Sequence, residues 1–250
     1  MIPSKLRKQA REALKGNWNK AILIGLAYFF FVLILDTLEK IFFKTPSLSL
    51  SYSIIELLIL LPISFGVYFT FLKLKRHEFT TTFDFVTEGF SRFSKVFTIT
   101  GWVLIKMLLP IFCFIMSMVL YTVLLSLHVK FLFVVIIGVV AYLACIVYTV
   151  ARGLLYSMVY YITYDNPELS SKQVVKKSEE LMNGNRGNLL LLELSFIGWF
   201  FVGMLTLGIG YIWIFPYYEV SLACFYDELT KSNGKKIEGT VKLEETLKED

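Results

Sequence analysis

The sequence predicts an all-α, polytopic membrane protein, and three observations lead to this fold class. The 250 residues are 56% hydrophobic and only 18% charged, whereas about a quarter of the residues of a soluble domain are charged. Several apolar runs reach the roughly twenty residues that a helix needs to cross about 30 Å of hydrocarbon. The basic residues are gathered into blocks that alternate with these runs.

The basic blocks predict the orientation of the chain in the membrane. Of the 25 Lys and Arg residues, 21 lie in the blocks 5–20, 73–95, 152–186 and 231–248. Lys40, Lys44 and Lys130 lie in the turns between the runs, and Lys106 lies inside one. Because cytoplasmic loops collect Lys and Arg, we expect a bacterial plasma-membrane protein with both termini in the cytoplasm.

Six transmembrane helices account for the apolar runs, within a single membrane domain over residues 1–229. The spans are predicted at about 21–38, 54–74, 97–121, 131–151, 189–206 and 211–226. The run from Leu189 to Tyr226 is too long for one span, and we divide it at Thr206 to Gly210, where two glycines permit a tight turn. Residues 230–250 are poor in apolar side chains and mixed in charge, which predicts a mobile cytoplasmic tail.

Three cytoplasmic, interfacial amphipathic helices are predicted, each leading into a span. Apolar side chains recur at helical spacing in three of the basic blocks: Leu6, Ala10, Ala13 and Leu14; Phe79, Phe83, Val86, Phe90, Phe93 and Phe97; and Val174, Val175, Leu181 and Met182. We expect these faces to lie on the inner membrane surface. Anionic headgroups, which attract each nearby Lys or Arg by about 1 kcal/mol, are the expected partners of the basic residues.

The joints between these helices and the spans resemble one another. Residues 12–17 can be aligned with residues 180–185, and residues 18–20 with residues 93–95. One interpretation is a threefold repeat of one surface helix plus one transmembrane hairpin. The alternative is that any such joint favours Gly, Asn, Lys and aromatic residues.

Charged residues inside the predicted spans are the candidate site residues, because a charge at the bilayer centre is costly and often functional. Lys106 and Glu219 are predicted at similar depth and form a candidate midplane pair. Arg152 and Glu193 form a second candidate pair near the cytoplasmic interface. Each pair could be a substrate or proton site, or could fix which helices pack together.

Prolines and tyrosines give weaker signals. Pro62, Pro110 and Pro216 each interrupt a predicted span and are expected to kink it. Bent helices open cavities but also occur in spans without a transport role. The tyrosines between Tyr156 and Tyr164 are expected to anchor the chain at the inner headgroup level.

No catalytic or cofactor motif is present in the sequence. Only His77 and His128 could supply imidazoles, and the three cysteines form no CxxC pair, so no metal site and no histidine-based triad is predicted. We therefore expect a protein that is not an enzyme and uses no cofactor. Lipid headgroups account for the net charge of +5, so we expect no nucleic-acid partner.

Several segments are similar to a known family. Residues 13–18, 156–161, 165–170, 177–184 and 192–199 resemble the integral membrane proteins, found mainly in Gram-positive bacteria, of the family called domain of unknown function 975. The resemblance covers most of the chain and is densest from Tyr156 to Leu229. It implies a six-span fold and a plasma-membrane location, and it implies no activity.

Two functions are compatible with these features. The first is a non-catalytic membrane module that organises lipid or packs with a membrane protein partner or a second copy of the chain. The second is a transporter or channel-like carrier of a small solute, lipid or peptide, with its site near Lys106, Pro110 and Glu219.

Overall fold

The computed structural model describes residues 2–43, 45–78, 81–126 and 131–249, and all the regular secondary structure in these ranges is helical. In chain order the helices are α1 (Pro3–Leu14), α2 (Trp18–Phe42), α3 (Pro46–Lys75), α4 (Asp84–Ser91), α5 (Phe93–Ser126), α6 (Phe131–Gly153), a 3-10 turn (Leu154–Tyr156), α7 (Val159–Asp165), α8 (Ser171–Met182), α9 (Arg186–Leu194), α10 (Ile197–Leu205) and α11 (Tyr211–Glu249). The predicted all-α class is thus observed in the described residues.

Five helical segments are long enough and apolar enough to cross a membrane. They are Trp18–Phe42, Leu50–Lys75, Phe93–Val123, Gly138–Asp165 and Arg186–Leu205. This is the make-up of a multi-pass membrane protein. The predicted sixth span, 211–226, lies in α11 and is not among the five, so the count of six stays a prediction. α11 also continues as a helix to Glu249, through the segment predicted to be a mobile tail.

The buried core lies at one end of the helices. It includes the second half of α3 from Ile63 to Leu74, the turn and helix from Leu154 to Ile162, and much of α11 from Ile214 to Leu229. By contrast, α5 beyond Leu104 and α6 carry many exposed Leu, Ile and Val side chains, and these two helices pack mainly against each other. Such apolar surface is suited to contact with lipid.

The basic blocks meet at the buried end. Lys5 at the start of the chain donates to Glu228 of α11 over 2.7 Å. Lys75 at the end of α3 also pairs with α11, through Asp227. We call this the basic end of the molecule.

Two of the three predicted interfacial faces are buried in protein. Leu6, Ala10 and Leu14 of α1 are covered and α1 packs on α11, while Val174 and Met182 of α8 are also buried in the core. These two helices therefore do not offer their apolar faces to the membrane surface. Periodicity identifies a face that must be covered, but not what covers it.

The second predicted stripe is the exception. Phe83, Phe90, Phe93 and Phe97 along α4 and the start of α5 are exposed by 65%, 42%, 40% and 49%. Phe79 of the same stripe lies outside the described residues. This is the one of the three apolar faces that stays open along much of its length.

Two of the predicted joints have the same backbone form. Gly16 after α1 and Gly184 after α8 adopt φ of +82° and +79°, a conformation that favours glycine. The flanking residues also correspond, with ψ of 119° at Lys15 and 122° at Asn183. The joint before α5 has no glycine at the corresponding place, and the threefold repeat stays a prediction.

Candidate functional site

Lys106 contacts α8 rather than Glu219. Its Nζ lies 3.3 Å from Oε1 of Glu179, which also accepts a hydrogen bond of 2.9 Å from the Tyr156 hydroxyl. The Lys106 side chain is 43% exposed. Further contacts bring α8 alongside α5, including one of 2.6 Å between the hydroxyls of Thr98 and Ser171. Because α8 runs beside α5, a carboxylate of the third basic block lies within reach of Lys106.

Glu219 is buried without an ion pair to the described residues. It is 4% exposed, and its Oε2 atom has no hydrogen-bond partner in the part of the chain that the structure describes. The predicted pair of Lys106 and Glu219 is therefore not formed in this structure. An unpaired polar atom in a protein interior is costly, so Glu219 is a candidate functional group in the core.

Tyrosines surround this carboxyl. Tyr68, Tyr161 and Tyr218 all lie within electrostatic range of Glu219. The Tyr161 hydroxyl also lacks a hydrogen-bond partner among the described residues, and its ring stacks on Tyr226 with centroids 5.2 Å apart. Tyr156 and Tyr161 are buried inside the protein, and the anchorage of the tyrosines at the headgroup level stays a prediction.

The second predicted pair is also not brought together. Arg152 lies over the Tyr156 ring at 6.0 Å, and no side chain or backbone group of the described ranges accepts a hydrogen bond from its Nε. Glu193 forms no ion pair with a described residue. The positions of the two residues along their spans predict a similar depth near the cytoplasmic interface, but depth alone does not determine which helix faces meet.

The three prolines lie within helices, as predicted. Pro62 is inside α3, Pro110 inside α5 and Pro216 inside α11, and all three are buried. The Pro62 carbonyl lies against Gly89 of α4, where a side-chain carbon would clash with it. Pro62 therefore lies where α4 packs closely on α3.

An ion network at the basic end was not predicted. Arg76 donates to both carboxylate oxygens of Asp165, over 2.6 and 2.9 Å, and to Asp227 over 2.7 Å, while Lys75 also pairs with Asp227. Burial raises the pKa of Asp227, but the hydrogen bonds from Arg76 and Lys75 outweigh burial and lower it overall. The hydrogen bond from Arg76 to Asp165 is the main cause of the raised pKa of the guanidinium. The network ties α3, α7 and α11 together.

An open cleft lies at the joint between α4 and α5. Its volume is about 470 Å³. It is lined by Ser91, Arg92, Ser94, Lys95, Thr98, Pro167, Leu169, Ser170 and Ser171. Two cations and several hydroxyls therefore face one open space, beside the exposed phenylalanine face.

No group of three His, Cys, Asp or Glu side chains among the described residues is placed to hold a metal ion. Cys113, Cys145 and Cys224 are free thiols. Two candidates for binding a ligand among the described side chains are the cations and hydroxyls of the cleft and the buried carboxyl of Glu219.

Comparison with known proteins identifies the family. Residues 1–233 match the family model described as "Protein of unknown function (DUF975)", and the chain therefore belongs to that family. No curated protein and no solved structure matches the chain.

Proposed function

We propose that this DUF975 protein is a non-catalytic membrane module of the bacterial plasma membrane that organises anionic lipid at its basic end. The observation that carries the proposal is the open phenylalanine face of α4 and α5, with Phe90, Phe93 and Phe97 exposed next to the cations Arg92 and Lys95. Apolar side chains next to cations match the acyl region and the charged headgroups of the inner leaflet.

The closed apolar faces of α1 and α8 support the same function. Leu6 and Leu14 of α1, like Val174 and Met182 of α8, are buried by the protein itself. These two helices therefore pack against the core and stabilise it. The open face of α4 and α5 is then left as the surface that the basic end offers to the membrane. The apolar hairpin of α5 and α6 adds a long lipid-facing surface, on which a membrane partner could also pack.

Glu219 favours a second candidate function, a carrier of a proton or small cation. The carboxyl is buried among phenols with one oxygen unpaired, and buried carboxyls of this kind serve proton relays in transporters. Against a carrier, the predicted midplane site has no cation, because Lys106 pairs with Glu179 and not with Glu219. We therefore prefer the lipid-organising module.

Native mass spectrometry of the protein, extracted gently from its own membrane, tests the choice. We expect bound anionic phospholipid, retained in preference to zwitterionic lipid when the two are offered together. A bound solute or cation that disappears in Glu219→Gln would favour the carrier. Absence of any preference for anionic lipid would overturn the lipid-organising function.

A further inference from the structure

We propose that the cleft between the α4–α5 joint and the segment before α8 is a binding site for the phosphate group of an anionic phospholipid, whose acyl chains lie along Phe90, Phe93 and Phe97. This inference rests on the proposed function and names its site. The ligand chemistry is a phosphodiester next to apolar chains, because both halves of such a molecule meet a matching surface here.

The cations of the cleft keep free donors. Lys95 Nζ gives one hydrogen bond, of 2.6 Å, to the Pro167 carbonyl, and Arg92 Nη1 gives one, of 3.0 Å, to the Thr163 carbonyl. An ammonium has three N–H donors and a guanidinium five, so each cation has donors left for a ligand. The carbonyls hold the side chains in place without neutralising them.

Neither cation is paired with a described carboxylate. This separates them from Lys73, Lys75 and Arg76, whose ion pairs are formed with Glu88, Asp227 and Asp165. Arg92 instead lies over the Phe69 ring at 5.2 Å. Lys95 interacts with Glu168 electrostatically but forms no ion pair with it. A positive charge that the protein leaves unbalanced beside a membrane span attracts an anionic headgroup.

The phenylalanine face continues from the cleft. Rings of Phe90 and Phe93 are stacked with centroids 6.5 Å apart and an interplanar angle of 2°, and Phe93 and Phe97 follow at 6.2 Å and 14°. Their sequence neighbours Ser91, Ser94 and Thr98 line the cleft. A headgroup in the cleft would thus have its chains beside this row, which a free phosphate would leave unused.

The corresponding joint between α1 and α2 provides the matched control. A cleft of about 430 Å³ there is lined by Lys8, Arg11, Glu12, Lys15, Gly16 and Trp18. It contains a carboxylate, and Arg11 already donates to the Tyr217 hydroxyl over 2.9 Å. Removing Lys15 lowers the charge of the basic end as much as removing Lys95 does, without touching the proposed site.

The test measures binding of dioleoylphosphatidylglycerol to the detergent-solubilised full chain by native mass spectrometry, with dioleoylphosphatidylcholine as the zwitterionic competitor. We expect Lys95→Gln to weaken binding of the first phosphatidylglycerol about fivefold, the equivalent of about 1 kcal/mol. Lys95→Arg should restore it, and Lys15→Gln should leave it unchanged. Inorganic phosphate in excess should not displace the lipid.

Each contrary result points to a different failure. If the wild type does not prefer phosphatidylglycerol, the proposed function itself fails. If it does, but Lys95→Gln behaves as Lys15→Gln, only the assignment to this cleft fails. Displacement by inorganic phosphate would show a site for free phosphate instead.

A second variant keeps the proposal testable if Lys95→Gln does not fold. Phe97→Ser changes no charge and no contact of Lys95 in the cleft, and Phe83→Ser, at the far end of the same face, is its control. We expect the first to reduce retention of phosphatidylglycerol more than the second. Equal retention in the two variants would overturn the placement of the acyl chains.

Discussion

At the scale of single residues, the unpaired carboxyl of Glu219 allows the cost of burying one polar atom without a partner to be measured. Burying a polar group without a partner costs about 1–3 kcal/mol, and Oε2 of Glu219 has none. We therefore expect Glu219→Leu, which removes the unpaired polar atom, to raise the free energy of unfolding, measured by thermal melting in detergent, while the exposed control Glu168→Leu leaves it unchanged. A lower melting temperature in Glu219→Leu would contradict the view that the carboxyl is a cost to the folded protein.

The partner of Lys106 can be measured with double-mutant cycles. Because the Lys106 side chain is 43% exposed, we expect its coupling to Glu179 to be at most about 1 kcal/mol. The cycle pairs Lys106→Met with Glu179→Gln, and a second cycle pairs it with Glu219→Gln. We expect the second cycle to give a coupling energy below about 0.5 kcal/mol, because the effects of mutations at separated residues are additive. A larger coupling energy with Glu219 would show that Lys106 and Glu219 interact, as the predicted midplane pair requires.

Asp227 predicts a dependence of stability on pH. The folded pKa is lowered, below an unfolded value of about 3.9, so the stabilisation is present above that value and is lost as the pH falls through the folded pKa. We expect unfolding in detergent to become easier over this acid range in the wild type. Asp227→Asn should be less stable at neutral pH by about 1–3 kcal/mol and should lose this part of the acid dependence. An unchanged acid profile in the variant would assign the effect to other carboxylates.

At the scale of the elements, two glycines let α4 lie directly on α3. A side-chain carbon at Gly66 would meet the Phe85 carbonyl, and one at Gly89 would meet the Pro62 carbonyl. Backbone cannot move aside cheaply, so we expect Gly66→Ala to destabilise the protein by about 1–3 kcal/mol. Gly101→Ala is the control, because its side chain would point into open space within α5, where alanine favours the helix. Equal melting temperatures for both variants would contradict the close packing.

The elements also show which parts of the molecule the sequence can predict. The turn at Thr206 to Gly210 is found as predicted, with Gly208 at φ +90°, because glycine and an overlong apolar run are local signals. Contacts between distant segments were not predictable in the same way. The spacing of Leu6 and Leu14 is the same whether lipid or α11 covers them, and Asp165 and Asp227 are 62 residues apart in the chain but share Arg76.

At the scale of the whole molecule, the contact between the start of the chain and α11 favours an even number of crossings. Lys5 and Glu228 are 2.7 Å apart, so the start of the chain and the middle of α11 lie close together. Five candidate spans alone would leave them on opposite sides. We therefore predict that the stretch 211–226 crosses back, although at about 1.5 Å per residue it covers only about 24 Å, less than the usual hydrocarbon thickness of about 30 Å.

Cysteine accessibility tests this topology. In a background with Cys113, Cys145 and Cys224 replaced by alanine, Ser4→Cys and Ser232→Cys should react with a membrane-impermeant maleimide only after the cells are permeabilised. Leu207→Cys, at a residue 94% exposed in the turn before α11, should react in intact cells. Thinning of the bilayer around a short span costs only fractions of a kcal/mol per Å, so α11 can cross despite its length. Labelling of Ser232→Cys in intact cells would show that the chain crosses the membrane five times. It would also contradict the contact between Lys5 and Glu228, which holds the start of the chain against α11.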